Sequence, residues 1–218
     1  MGKEPKASTL NTHNSALNRI FDEAVMRQYV AKVQIPMLEN KGRDAQRRPD
    51  FTIGEYRKIY RGFRTWIHEG RAGKSRDMRA LLRDYVLILA NTGIRHGTEA
   101  ENLCWKNIST FDADGRSYLA MYVKGKTKGR ELVARHSCEI SLKRIHARCP
   151  DISRMSFDDL LNSQSDLPVF RLPDGTATKS LNQTFRAFMR DVGLLKDPNT
   201  GQNRTLYPKS VSYQFCGG

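Results

Sequence analysis

Apolar residues recur along this chain at spacings that mark several amphipathic helices and one β-hairpin. Residues 9–30 carry Leu17, Ile20, Phe21, Ala24 and Val25 on one helical face, with Asn11, Asn14 or Ser15 as candidate caps. From Ile35 to Asp50 the periodicity stops, and two prolines, a glycine and mixed charges mark a linker. Phe51-Thr52-Ile53-Gly54-Glu55 then opens a second helix with Tyr56, Ile59, Tyr60, Phe63 and Ile67 on one side and Arg57, Lys58, Arg61 and Arg64 on the other. A third runs from a cap at Ser75 to about Thr92, with Met78, Leu81, Leu82, Tyr85, Val86 and Leu89 inward and Gly93 ending or bending it.

Beyond Gly93 the pattern predicts a helix from Thr98 to Trp105. A turn at Asp112–Gly115 leads into the β-rich run Ser117–Val123, and a glycine-containing turn at Lys124–Gly129 returns the chain through Arg130–Ala134, a hairpin with a lysine-rich tip. Residues 138–148 fit either a strand or a helix. Residues 156–163 predict a short helix, Asp174-Gly175 a turn, and 180–195 a last helix with Leu181, Phe185, Phe188 and Val192 inward. No internal repeat is present. The longest unbroken apolar run, Tyr85–Ala90, is far below the ~20 residues of a membrane-spanning helix. With no apolar stretch behind the charged N-terminus, a cytoplasmic, nucleoid-associated protein is expected.

Charge narrows the partner. The 218 residues hold 37 Lys+Arg against 23 Asp+Glu, a formal charge of +14. The excess is central, since 51–100 and 101–150 each carry ten basic and five acidic residues. Such a balance favours nucleic acid, where each phosphate contact releases counterions. An anionic membrane is a poorer fit, because no helix joins a Lys/Arg face to a strongly apolar one. An RNA-binding protein would need aromatic platforms or glycine-rich motifs, and neither is present. Cys104, Cys138, Cys149 and Cys216 are scattered without a C-x-x-C pair, so they read as reduced structural cysteines, with no metal site.

Candidate chemistry centres on Asn91 to Ile108. A helix delivers Arg95 just after a glycine bend, and a second helix, anchored by Leu103 and Trp105, leaves at once. A guanidinium fixed this way suits phosphoryl transfer, where a planar fork binds two non-bridging oxygens as charge builds on them. A structural arginine at a helix junction is the plain alternative.

Thr92-Gly93-Ile94-Arg95-His96-Gly97-Thr98-Glu99, followed by Leu103-x-Trp105 and Ile108, resembles the first conserved box of the tyrosine recombinases, the phage-integrase family, with one extra residue between the arginine and the acidic position. Val123-Lys-Gly-Lys-Thr-Lys-Gly-Arg-Glu-Leu-Val133 is similar to that family's hairpin bearing the catalytic lysine. Ser8–Ala24 resembles the last helix of its DNA-gripping core-binding domain, and Arg47–Thr52 the start of its catalytic domain. The resemblance covers about residues 8–207. It implies an α+β, mostly helical fold. Residues 1–40 would be the C-terminal remnant of an all-α core-binding domain, 41–50 a linker, and 51–218 a partial catalytic domain with a small antiparallel sheet.

The family breaks and rejoins DNA through a 3′-phosphotyrosine, without metal, ATP or other cofactor, for DNA integration and recombination. The resemblance implies that Arg95 clamps the scissile phosphate, Lys126 protonates the leaving 5′-oxygen and Glu99 supports the arginine. Lys124 and Lys128 stand as alternative acids and, with Arg130, as DNA-binding residues. The family's closing H-x-x-R box and later tyrosine are not found as expected. Asn203–Tyr207 looks like the lead-in to that box, yet the histidine falls at Val211 and the second arginine at Gln214. This pattern resembles a frameshift or truncation. Tyr213 falls where the box should be, and His68-Glu-Gly-Arg71 precedes Arg95 in the chain and reads as coincidence. The expectation is a duplex-DNA-binding fragment that does not cut, able to join homo- or hetero-oligomers of integrase protomers. The alternative is a short DNA-binding regulator or dominant-negative partner of a full-length integrase. The apolar face of 180–195 is expected to lie partly exposed.

Overall fold

The computed structural model describes residues 5–42, 50–125, 128–178 and 181–206. The chain divides into two compact units between Arg47 and Arg48. In the first, helix α1 (Ala7–Met26) is followed by a 3-10 turn at Lys32–Gln34. It begins before the predicted start, with Lys6 at the cap position and no side chain capping it. The asparagines read as caps serve another purpose. Asn40 donates to the Ala7 carbonyl and to Asn11 Oδ1, and Asn14 donates to the Glu39 carbonyl, so they fasten the returning segment along the helix. Gly42 comes so near that a Cβ would lie 2.6 Å from the Ala7 nitrogen.

The second unit is mixed α/β and mostly helical. It contains α2 (Ile53–His68), α3 (Lys74–Thr92), the single turn α4 (Thr98–Glu101), β1 (Ile108–Ala113), β2 (Arg116–Lys124), β3 (Gly129–Ala134), α5 (Ser137–Arg148), α6 (Phe157–Asn162) and α7 (Asn182–Asp191). Helix α2 starts where Thr52 accepts from the Glu55 N–H and Glu55 reaches back to the Thr52 N–H, which satisfies two orphan donors at once. Arg204, almost fully buried, donates to Glu55 and to Asp197 and lies over the Phe51 ring, so the same glutamate that caps α2 also anchors the last described segment. That arginine's hydrogen bond holds the Asp197 carboxyl down at about 2.

Four helices, α2, α3, α5 and α7, supply much of the core, and the sheet and the segments around α4 and α6 supply the rest. Phe63 stacks on Phe188 with centroids 4.0 Å apart, and Trp66 tilts against the same ring at 5.0 Å while its Nε1–H donates to Asp191. Phe185, Phe188 and Met189 are fully covered, which corrects the expectation of an exposed face on the last helix. Tyr60, assigned inward from its spacing, points outward at 59% exposure, and Trp66 takes the inward place.

The sheet is antiparallel in the order β1-β2-β3. Leu119, Met121 and Val123 point to the core at alternate positions of β2. On the other face Phe111 stacks on its register partner Tyr118 at 5.5 Å. Tyr122 covers Gly129, where a Cβ would lie 2.0 Å from the tyrosine oxygen, so only glycine lets the ring settle across the base of the loop. Two elements differ from the periodicity reading: strand β1 adds a third member to the hairpin, and the helix predicted over Thr98–Trp105 stops at Glu101. Of the two alternatives open for 138–148 the helix is the one formed, with Cys138, Ser141, Leu142 and Ile145 buried on one face. Helix α3 is preceded by Gly73 rather than capped by Ser75, and Gly93 ends it in the left-handed conformation at φ 73°.

Truncating the central ring in Phe188→Ala is expected to cost about 3–5 kcal/mol, read as a lowered urea midpoint at unchanged m-value.

Candidate phosphate-binding junction

The junction begins where α3 ends. Thr92 Oγ1 donates to the Ile88 carbonyl and accepts from the Ile94 N–H, and Ile94 is fully buried, so the backbone leaving the Gly93 bend has little freedom. Arg95 follows, and Gly97, at φ 91°, makes the second sharp turn before α4. Behind α4, Leu103, Trp105 and Ile108 are fully buried and fix the far side.

Glu99 is the hub of the junction. Its side chain is 4% exposed, and its Oε2 accepts from the Arg95 N–H at 2.9 Å and from Arg130 Nη2 at 2.8 Å. Oε1 lies 3.4 Å from Arg95 Nη1. Arg130 Nη2 also donates to the Gly93 carbonyl at 2.8 Å. Arg95 thus has its backbone held by the carboxylate while its side chain stays 69% exposed, with most of its fork free. Burial alone would raise the Glu99 carboxyl, but the Arg130 hydrogen bond and the Arg95 N–H, with both positive charges, hold it below the ordinary carboxylate range.

The lysine-bearing loop sits beside this hub. A Cβ on Gly125 would meet Glu99 Oε1 at 3.5 Å, the Gly125 N–H donates to the Lys128 carbonyl at 3.4 Å, and Asn102 Nδ2 donates to the Lys124 carbonyl at 3.5 Å. Lys124 and Lys128 are exposed at the two ends of the loop, and Lys126 lies outside the described residues. The structure therefore brings Arg95, Glu99, Arg130 and the loop ends carrying Lys124 and Lys128 to one place. Among them Arg130 is the best engaged internally, and sequence reasoning had grouped it with the outward lysines.

Two further features had only faint sequence signals. His96 Nδ1 lies 2.7 Å from the Tyr85 hydroxyl, and together they line an apolar cavity of about 360 Å³ with Ala100, Phe170, Thr178 and Leu181. Burial lowers the His96 pKa, so the ring is neutral at physiological pH. Asp84, fully buried on α3, accepts from Arg83, Arg144 and Arg148, which ties α3 to α5. Its only sequence signal is an acid embedded in an apolar helical face. His68 is the exposed last residue of α2. Burial raises the Cys138 thiol to about 12, an inert structural cysteine. Among the described residues no group of three or more His, Cys, Asp or Glu could hold a metal ion, and no helix is long and apolar enough to cross a membrane.

No family model matches this chain, and no curated protein matches it. Among solved structures, a pre-cleavage complex of the XerH site-specific recombinase with its difH substrate aligns with TM-score 0.47 at 17% identity, over 83% of this chain and 45% of the recombinase chain. The chain thus spans less than half the length of that recombinase.

Because the folded Glu99 carboxyl ionises below its unfolded value, its contribution to stability is complete above about pH 4.3, the ordinary glutamate range, and is lost as pH falls through the folded value. Thermal unfolding should therefore be nearly flat from pH 7 to about pH 5 and fall below that. Glu99→Gln should start from a lower Tm at pH 7 and fall less steeply in acid, both read by calorimetry.

Proposed function

We propose that this chain binds the phosphodiester backbone of duplex DNA, with Arg95 as the phosphate clamp of a tyrosine-recombinase-like catalytic domain, and that it does not cut the strand. The observation that carries this reading is the division of labour at Arg95. Its backbone N–H is fixed by a buried carboxylate, and its guanidinium faces outward beside the ends of a lysine-rich loop. An arginine needed only for packing would be buried, as Arg204 and Arg171 are. A preorganised exposed fork matches the geometry of two phosphate oxygens.

Further cations support the same partner. Arg57, Lys58, Arg61 and Arg64 are exposed on α2 and have no ion-pair partner among the described residues. Lys124 and Lys128 would meet the flanking phosphates and Lys126 would stand nearest the leaving oxygen, in the order the hairpin motif implies. Residues 1–40 are read as a helical segment of a DNA-gripping domain, and integrase protomers as the oligomeric partners. The non-cutting part of the proposal rests on the sequence at the positions where the H-x-x-R box is expected, Val211 and Gln214, which can supply neither an imidazole nor a second guanidinium.

Fluorescence anisotropy on labelled duplex over a salt series tests the clamp. Arg95→Gln should weaken binding about tenfold whatever the sequence and reduce the salt slope by about 1. Unchanged affinity and slope would remove Arg95 from the interface. Incubation with a nicked duplex should give no detergent-stable covalent adduct, and an adduct would overturn the non-cutting half of the proposal.

A further inference from the structure

Arg130 follows the lysine-rich loop directly, and by composition it belongs with the loop's outward cations. Its hydrogen bonds place it elsewhere. A guanidinium has five N–H donors. Both hydrogens of Nη2 are committed, one to the Gly93 carbonyl and one to Glu99 Oε2, each at 2.8 Å. Nε is buried with no partner among the described residues, so an incoming phosphate cannot reach it. Only Nη1 remains, and one nitrogen cannot make the two-pronged contact that distinguishes an arginine clamp from a point charge. Arg95 is the reverse case, with a 69% exposed side chain and a single long contact at 3.4 Å.

The two acceptors of Arg130 Nη2 are also informative. The Gly93 carbonyl lies at the C-terminal end of α3, where helix carbonyls are left without partners and carry partial negative charge. The Glu99 oxygen is the atom that accepts the Arg95 N–H. One nitrogen therefore bridges the residue two before Arg95 and the residue four after it, spanning the bend from β3. Arg130 pairs with Val123 in the β2–β3 register, within the ladder that frames the lysine-bearing loop. Resting on the phosphate-clamp reading of Arg95, we infer that Arg130 is a positioning residue: it locks the loop-bearing hairpin to the Arg95 bend through Glu99 and does not itself bind phosphate.

A double-mutant cycle on the full chain tests this, using duplex binding over a salt series for Arg95→Gln, Arg130→Gln, Arg130→Lys and the double Arg95→Gln/Arg130→Gln. If Arg130 acts through Arg95, the double variant binds no more weakly than Arg95→Gln, and its salt slope falls by about 1 in all. Arg130→Lys keeps the charge but loses the planar bridge, so it should behave like Arg130→Gln. If Arg130 meets phosphate, the losses multiply, the slope falls by about 2, and lysine rescues; that result overturns the inference.

Hydrogen exchange without DNA separates this inference from the DNA reading. Arg130→Gln and Arg130→Lys should both speed exchange at the Arg95 amide and at the Gly125 amide, in a protein that still melts cooperatively. Unchanged exchange at both amides overturns the positioning role. Faster exchange in a protein with no duplex affinity keeps Arg130 as the lock and removes the DNA proposal. Should Arg130→Gln fail to fold, Arg130→Lys carries both measurements.

Discussion

The second unit's junction depends on one buried carboxylate. Glu99 has almost no access to water, and an ionised carboxylate in that position is costly unless its oxygens are filled. Oε2 accepts from two separate stretches of chain, the Arg95 backbone and the Arg130 guanidinium, and Oε1 has Arg95 Nη1 at 3.4 Å, so the cost of burial becomes a constraint on where those stretches lie. Gly93 and Gly97 make the constraint possible, because both adopt left-handed backbone that a side chain would resist. Leu103 and Trp105 make it rigid by fixing α4 from behind. The outward guanidinium of Arg95 is what this local network leaves free.

Much of the fold was legible where a buried stripe is apolar at helical spacing. Helices α2, α3 and α7 were readable because Ile59, Phe63, Leu81, Leu82, Tyr85, Phe185 and Phe188 keep the period. Helix α5 was ambiguous because two of its buried positions are Cys138 and Ser141, which weaken the stripe. Strand β1 was missed because only Ile108 in it is fully buried, and an edge strand with one covered residue has no alternation to read. The extent of α4 was misjudged because Leu103 and Trp105 suit a helix in spacing, yet Trp105 and Lys106 donate backbone N–H groups to the Leu167 and Ser165 carbonyls. A distant segment decided the local structure there.

At the candidate site, residue types were readable and pairings were not. The glycines, Arg95 and Glu99 lie within eight consecutive residues, so their association is nearly local. Arg130 is 31 residues from Glu99, and nothing about an arginine after a lysine-rich turn tells whether it faces solvent or a buried acid. The same gap applies to Asp84, whose partners Arg144 and Arg148 lie on another helix.

This bears on how the net charge is read. The stretches from 51 to 100 and from 101 to 150 hold most of the excess, yet several of their arginines are turned inward. Arg83, Arg144 and Arg148 surround Asp84, Arg79 donates to the Trp66 carbonyl and covers its ring, and Arg130 bridges Gly93 and Glu99. A guanidinium whose hydrogens point at internal acceptors still adds to the long-range field that draws an anion in, but it offers few N–H groups at contact distance. Counterion release counts phosphates actually neutralised, so under the proposed DNA binding the salt dependence would follow the outward cations rather than the formal charge of +14. In the proposed complex Arg95, Lys124, Lys128 and the α2 face would by that measure count most, and the inward arginines least.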